Sequence, residues 1–237
     1  VLPRMRATEI STVPTAYGRL ALEATDLAEL AALPRAMRDW IDLVMRDTLL
    51  SVPGEEGSAD DEVAQQNRFQ DDLQAWRNEA SRIAAGVDLL TTAQQAWRRD
   101  SSSADAIPYR AWLLLNRTFA AASPDREGEP PSGWRLFQLA FVLAHVPTFA
   151  SRLSQYSQHF DAAFDEDSAS LLYMATGGGK TGAFFGVLVY ALFVDRLRGK
   201  HRGVTAMMHY PLRLLTVQQA QRLARLLARA EMVRRTE

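Results

Sequence analysis

Residues 171 to 181 read Leu-Leu-Tyr-Met-Ala-Thr-Gly-Gly-Gly-Lys-Thr: an apolar run, a glycine turn, then a lysine and a hydroxyl. The pattern narrows the possible folds sharply. Glycines let a backbone approach a polyphosphate closely, and a helix starting there aims its unpaired N–H groups at the anion. On this reading Ser170 to Met174 form a buried strand and Thr181 to Arg196 a helix. Thr176, Gly177, Gly178, Gly179, Lys180 and Thr181 then bind the phosphates of ATP. Lys180 reaches the β and γ phosphates and Thr181 coordinates Mg²⁺. Met174 stands where the general phosphate-loop pattern has glycine, so this is a variant form. The alternatives are a plain glycine turn and a degenerate site that binds nucleotide without hydrolysing it.

The chain beyond the loop has the pattern of a crossover. The apolar helix to Arg196, a turn at Gly199 to Gly203, a strand from Val204 to Tyr210 and a helix from about Leu215 to Arg235 make one βαβα unit. A crossover of that length suits a parallel sheet. The expected fold class is a mainly α N-terminal region followed by the opening of an α/β RecA-like phosphate-loop domain, incomplete in this chain.

The first two thirds read as helices. Met37, Trp40, Ile41, Val44 and Met45 recur at helical spacing, as do Leu73, Trp76, Ala80, Ile83, Val87 and Leu90. Packing within a domain and a short coiled coil both account for the second set. Val52 to Glu62, with Pro53, Gly54, Gly57 and an acidic cluster, reads as a mobile loop. Further helices are predicted from Tyr109 to Ala122 and from Arg135 to His145, the latter running up to Pro147. Ala122 to Gly133 is the linker candidate, so the expected units are residues 1–130 and 131–237.

Composition excludes several classes. There is no cysteine, hence no disulfide and no thiolate metal site. His145, His159, His201 and His209 lie far apart and form no HExxH pattern, so no metal is expected beyond nucleotide-bound Mg²⁺. The longest apolar stretch, Ala183 to Val194, is short of the roughly 20 residues that cross a bilayer, so no membrane contact is expected. Without a secretory signal, a cytoplasmic location is expected. The chain opens Val-Leu-Pro-Arg without an initiator methionine and reads as a piece of something longer.

The net charge of -1 conceals a basic end. From Arg196 onward ten Lys and Arg residues face only Glu231 and Glu237. That end suits a polyanionic partner such as DNA, or is an ordinary solvated face. Within it Arg222, Arg225 and Arg229 share one side of the last helix, open to the same two readings.

Two further features sit at fixed distances from the loop. Tyr210 to Gln219 places Arg213, Thr216, Gln218 and Gln219 at the end of the second predicted strand, where short polar groups grip a sugar-phosphate chain. The bland alternative is a helix start set by Pro211. Upstream, the Gln138 amide suits the donor and acceptor pair of an adenine edge, or it is a surface glutamine. Trp112, Trp134, Phe137 and Phe141 read as core. No Asp-Glu pair comes after the loop; Asp165 and Glu166 precede it and read as loop residues.

Arg135 to Leu143, Thr176 to Gly182, Gly203 to Tyr210 and Leu212 to Gln219 together resemble the DrmA family, superfamily 2 helicases of the bacterial DISARM anti-phage system. The likeness is dense from about residue 135 onward. Met174 stands where that family has a proline or small residue, and His209 where it tends to have arginine, a departure that puts one phosphate contact in doubt and leaves the class unchanged. The resemblance implies an ATP-driven DNA helicase or translocase acting in defence, with a DUF1998-type, DrmB-like partner subunit. It implies that the loop is helicase motif I and the Gln-rich stretch motif Ia. A duplex translocase that does not separate strands and a non-hydrolysing nucleotide-binding scaffold stay open as alternatives.

Overall fold

A computed structural model describes residues 12–51, 59–129, 132–173, 178–209 and 213–236. The described residues form α-helices: α1 (Tyr17–Leu20), α2 (Ala32–Ser51), α3 (Ala59–Arg99), α4 (Ile107–Ala122), α5 (Leu136–Ala150), α6 (Ala162–Asp165), α7 (Lys180–Leu197) and α8 (Arg213–Thr236). Short 3-10 turns precede α2 and α4 and come after α5.

The parallel sheet expected of the final third is absent among the described residues. Residues 171–173 and 204–209 carry no regular structure, and the apolar side chains meant to be buried face water: Leu171 is 86% exposed, Tyr173 93%, Val204 73% and Met207 75%. A strand completes its hydrogen bonds on a neighbouring strand. These two segments meet none, and the lone ladder contact among the described residues is an antiparallel bridge between Ala16 and Gly133. There Tyr17 N–H donates to Ser132 O and Trp134 N–H to Thr15 O, both at 2.9 Å. Helices do the work assigned to the sheet. The buried face of α7, with Phe185, Val189, Tyr190 and Val194, packs on α4 and α5. The architecture is helix on helix, not the opening of a RecA-like α/β domain.

The predicted helices are all present, with moved boundaries. Pro34 sits in the first turn of α2 and Pro108 in that of α4, where the missing N–H costs nothing. The acidic stretch expected as loop through Glu62 is helical from Ala59 onward, while residues 52–58 lie outside the described part. α5 does not stop before Pro147 but runs through it to Ala150.

That proline shapes the packing. Pro147 has no N–H to give the carbonyl four residues back, that of Leu143. Helix α3 crosses α5 at this point with Gly86, and a Cβ there would collide with the Leu143 carbonyl. The missing donor and the missing side chain meet at one spot, and α3 and α5 form the most extensive helix pair of the fold.

One apolar core draws residues from both sides of residue 130. Leu20, Leu27 and Leu30 join Ile83, Val87 and Leu90 of α3, Tyr109, Trp112 and Leu113 of α4, Leu139 and Leu143 of α5, Val189 and Tyr190 of α7, and Leu226 of α8. A smaller cluster of Ile41, Leu73 and Ala80 joins α2 to α3 farther along, where Trp40 and Trp76 pack at 5.3 Å. Trp112 and Trp134 are buried as expected, whereas Phe137 and Phe141 are only half-buried.

Two buried ion networks brace the ends of α6 and α7. Arg82 donates to Asp165 at 2.9 Å and to the Thr148 hydroxyl at 3.1 Å, and lies 4.5 Å over the Phe164 ring. Asp195, near the end of α7, accepts from Arg198 at 2.8 Å, Lys200 at 2.9 Å, Thr205 at 2.8 Å and Arg152 at 3.5 Å. The second network fixes the predicted turn after α7, in which Gly199 and Gly203 adopt positive φ.

Candidate phosphate-binding cleft

The described part of the glycine loop sits where α7 begins. Gly179 is the N-cap of α7 with φ +89, a left-handed backbone that a side chain would strain. Helix α7 then runs 18 residues from Lys180, so its first N–H groups and the positive end of its dipole meet at the loop. Thr176 and Gly177 lie outside the described residues.

Two side chains from the start of α5 hold the loop. Arg135 Nη1 donates to the Gly178 carbonyl at 2.7 Å, and Gln138 Nε2 donates to the Gly179 carbonyl at 2.7 Å. Gln138 Oε1 in turn accepts from the Arg135 backbone N–H at 2.9 Å, which satisfies a donor at the helix start and locks the amide orientation. In a trans peptide the C=O and the next N–H point opposite ways. Fixing the carbonyls of Gly178 and Gly179 therefore fixes the N–H groups of Gly179 and Lys180, which face away from the clamp.

The position of α5 is set by burial just ahead of it. Trp134, fully inside the core, donates its indole N–H to Asn116 Oδ1 at 2.9 Å and packs on Tyr17 and Phe119. Asn116 is itself buried and donates to the Trp112 carbonyl. The clamp residues thus hang on a rigid aromatic floor.

A cleft of about 1160 Å³ opens over the loop. Gly178, Gly179, Lys180 and Thr181 line it together with Arg135 and Gln138 from the start of α5 and residues of α8. The cationic lining comprises Arg135, Lys180, Arg222, Arg225 and Arg229, and no carboxylate belongs to the described lining. Gln219 lines the same cleft, and its buried Oε1 has no hydrogen-bond partner among the described residues. Gln218 is exposed and is not part of the lining. The side chains of Arg213 and Thr216 lie outside the described part.

Several residues therefore differ from the roles their sequence positions suggest. Gln138 is buried and lines the cleft while its amide also binds the backbone of Arg135 and Gly179. Arg135 belongs to none of the motif positions; its spacing three residues before Gln138, at a helix start, is the signal that could have found it. The arginines of α8, open in the sequence to a nucleic-acid or a solvated role, line the same cleft as the phosphate loop. Asp165, far from this cleft, is bound up in the Arg82 network and its side chain is buried.

Titratable groups elsewhere are set by burial. Desolvation lowers His145, whose Nδ1 lies 2.7 Å from the Phe141 carbonyl while Nε2 lies 3.1 Å from the Ser170 hydroxyl. The carbonyl only accepts, which places the ring proton on Nδ1. Burial likewise pushes the Tyr17 phenol, at the edge of the cleft, up to about 12, so it stays neutral. Among the described residues no group of three His, Asp or Glu side chains is arranged to hold a metal ion, and no helix is long and apolar enough to cross a membrane.

These features define a helical protein that presents a clamped glycine loop, at a helix N-terminus, to a cation-lined cleft. Over 108 residues the chain is 36% identical to the DISARM protein DrmA of Bacillus paralicheniformis. The matched stretch covers 43% of this chain and 9% of that protein, so the chain is related to a small part of a much longer relative. No protein-family model matches the chain.

Proposed function

We propose that this chain carries the nucleotide-binding loop of an ATP-dependent DNA helicase or translocase of superfamily 2 acting in anti-phage defence. The observation that carries the nucleotide reading is the loop clamped by Arg135 and Gln138 against a cleft lined by cations and, among the described residues, free of carboxylates. The motor and defence readings rest on the partial likeness to DrmA and on the sequence motifs around the loop. DNA is the expected polyanionic partner, through Gln219 and its neighbours on α8, and a DrmB-like subunit is the expected protein partner.

Mg²⁺ fits this site as a companion of the nucleotide. Thr181 lines the cleft and offers a hard hydroxyl oxygen, and phosphate oxygens supply further ligands of the kind Mg²⁺ prefers. Bound there, the ion neutralises phosphate charge. Lys180 and the N–H groups of the first turn of α7 hold the phosphates, and Arg135 and Gln138 keep the loop backbone in register.

One observation favours a second reading, the nucleotide-binding scaffold: the described lining contains no carboxylate to orient an attacking water. Two measurements separate the readings. Calorimetric titration with ATP and Mg²⁺ is expected to show binding that Lys180→Ala weakens at least tenfold; equal affinity in the variant rejects the nucleotide site. Phosphate release with and without DNA then tells motor from scaffold, since only a motor is stimulated by DNA.

A further inference from the structure

Resting on the nucleotide reading, we infer that Arg222, Arg225 and Arg229 of α8 form the second wall of a polyphosphate clamp and make the site prefer a nucleoside triphosphate to a diphosphate.

Placement is the first support. Positions i, i+3 and i+7 share one face of a helix, and these three arginines all line the cleft that the glycine loop also lines. Leu226, on the same helix, is buried and lines the cleft beside them, while Ala230 is buried one turn on. Those two apolar residues seat α8 on the core, mainly against α4. The arginine face is therefore presented by a packed helix and not by a free one.

The lack of an acidic partner for these three arginines among the described residues is the second. Farther along the same helix, Arg234 and Arg235 both bind Glu231, at 2.7 and 2.8 Å. Arg222, Arg225 and Arg229 form no ion pair among the described residues; Arg229 instead meets Met232 Sδ at 3.8 Å. Like charges at this spacing repel one another, and Arg135 lines the same cleft. A solvated arginine face ordinarily relieves such crowding with interspersed acids, as the end of α8 does with Glu231. An anion with several charges relieves it here.

Donor geometry is the third. Guanidinium groups bind phosphate oxygens in a two-pronged manner that lysine does not match. With Lys180 and the N–H groups of α7 on one side, arginines on the other side reach the oxygens those groups leave open. The terminal phosphate brings the most such oxygens, so its loss on going from triphosphate to diphosphate costs the α8 wall the most.

The test titrates the 237-residue chain with a non-hydrolysable ATP analogue, with ADP and with a single-stranded oligonucleotide, each at two salt concentrations. It compares wild type, Lys180→Ala, the triple variant Arg222→Gln, Arg225→Gln, Arg229→Gln, and the triple variant Arg222→Lys, Arg225→Lys, Arg229→Lys. The three side chains are exposed and glutamine keeps helix propensity, so circular dichroism is expected to be unchanged. The glutamine variant is expected to lose at least tenfold in triphosphate affinity and less than threefold in ADP affinity. The lysine variant is expected to recover part of the loss, and Lys180→Ala to weaken both nucleotides. A glutamine variant that binds the triphosphate within twofold of wild type overturns the clamp and leaves the nucleotide site standing, and so does one that loses only oligonucleotide binding. If wild type binds neither nucleotide, the nucleotide reading itself fails and takes the clamp with it.

Discussion

Asp195 has its side chain 2% exposed yet sits among three cations and a hydroxyl. Burial acts to raise its carboxyl, but hydrogen bonds from Lys200, Arg198 and Thr205 outweigh burial and hold it at about 2, below its ordinary 3.8. A carboxyl held low in the folded state adds stability that is complete above its ordinary value and is lost as pH falls toward the folded one. Chemical denaturation of wild type is therefore expected to lose stability between about pH 4 and pH 2, with Asp195→Asn flat across that window. At neutral pH the same substitution is expected to cost about 1.5–3 kcal/mol, because it weakens charge-assisted hydrogen bonds that three half-exposed cations and Thr205 make to one buried carboxylate. A variant as stable as wild type at pH 7 rejects this role. Little of it was legible in the sequence, where Arg152 is 43 residues away from Asp195 and nothing marks them as partners. Gln138 illustrates the opposite limit. Its importance to the loop was legible from its position, but its job was not, because an amide suited to a base edge is equally suited to backbone carbonyls.

The helices were readable because their apolar spacing is a property of each segment alone. Their ends were less so, as Pro147 shows: a residue that usually stops a helix is carried inside α5 because Gly86 of α3 closes over the carbonyl it leaves free. Gly86→Ala is expected to cost roughly 1–3 kcal/mol, since a methyl group there must push α3 off α5, and Gly86→Leu more. Urea unfolding measures both, and an alanine variant with an unchanged midpoint shows that the crossing is not tight. The two predicted strands went wrong for a physical reason. Leu171 to Tyr173 and Val204 to Met208 have the composition of buried strands, but a strand depends on its neighbours, and a local pattern cannot report who they are. The likeness to DrmA has the same reach, since it concerns 9% of that protein's length.

At the scale of the molecule, the residues that build the cleft come from both ends of the chain and lean on one core. Trp112 and Asn116 of α4 fix Trp134, Trp134 leads into the clamp of α5, and α4 also seats α8. Residues 131–237 expressed alone, the unit expected from the linker, leave the apolar faces of α5, α7 and α8 without α3 and α4. They are expected to show no cooperative thermal transition by circular dichroism, whereas residues 1–237 melt with one. A sharp melt of the short piece would show that it stands by itself. The knot around Asp195 bears on how the cleft can move. Thr205 is tied to the end of α7, and eight residues later α8 begins, so covalent reach limits their separation to about 28 Å. Helix α8 is on a short leash whose fixed end is a cluster of ion pairs. The start of α8 is therefore bounded from the far end of α7, away from the phosphate loop, as well as by its packing on α4.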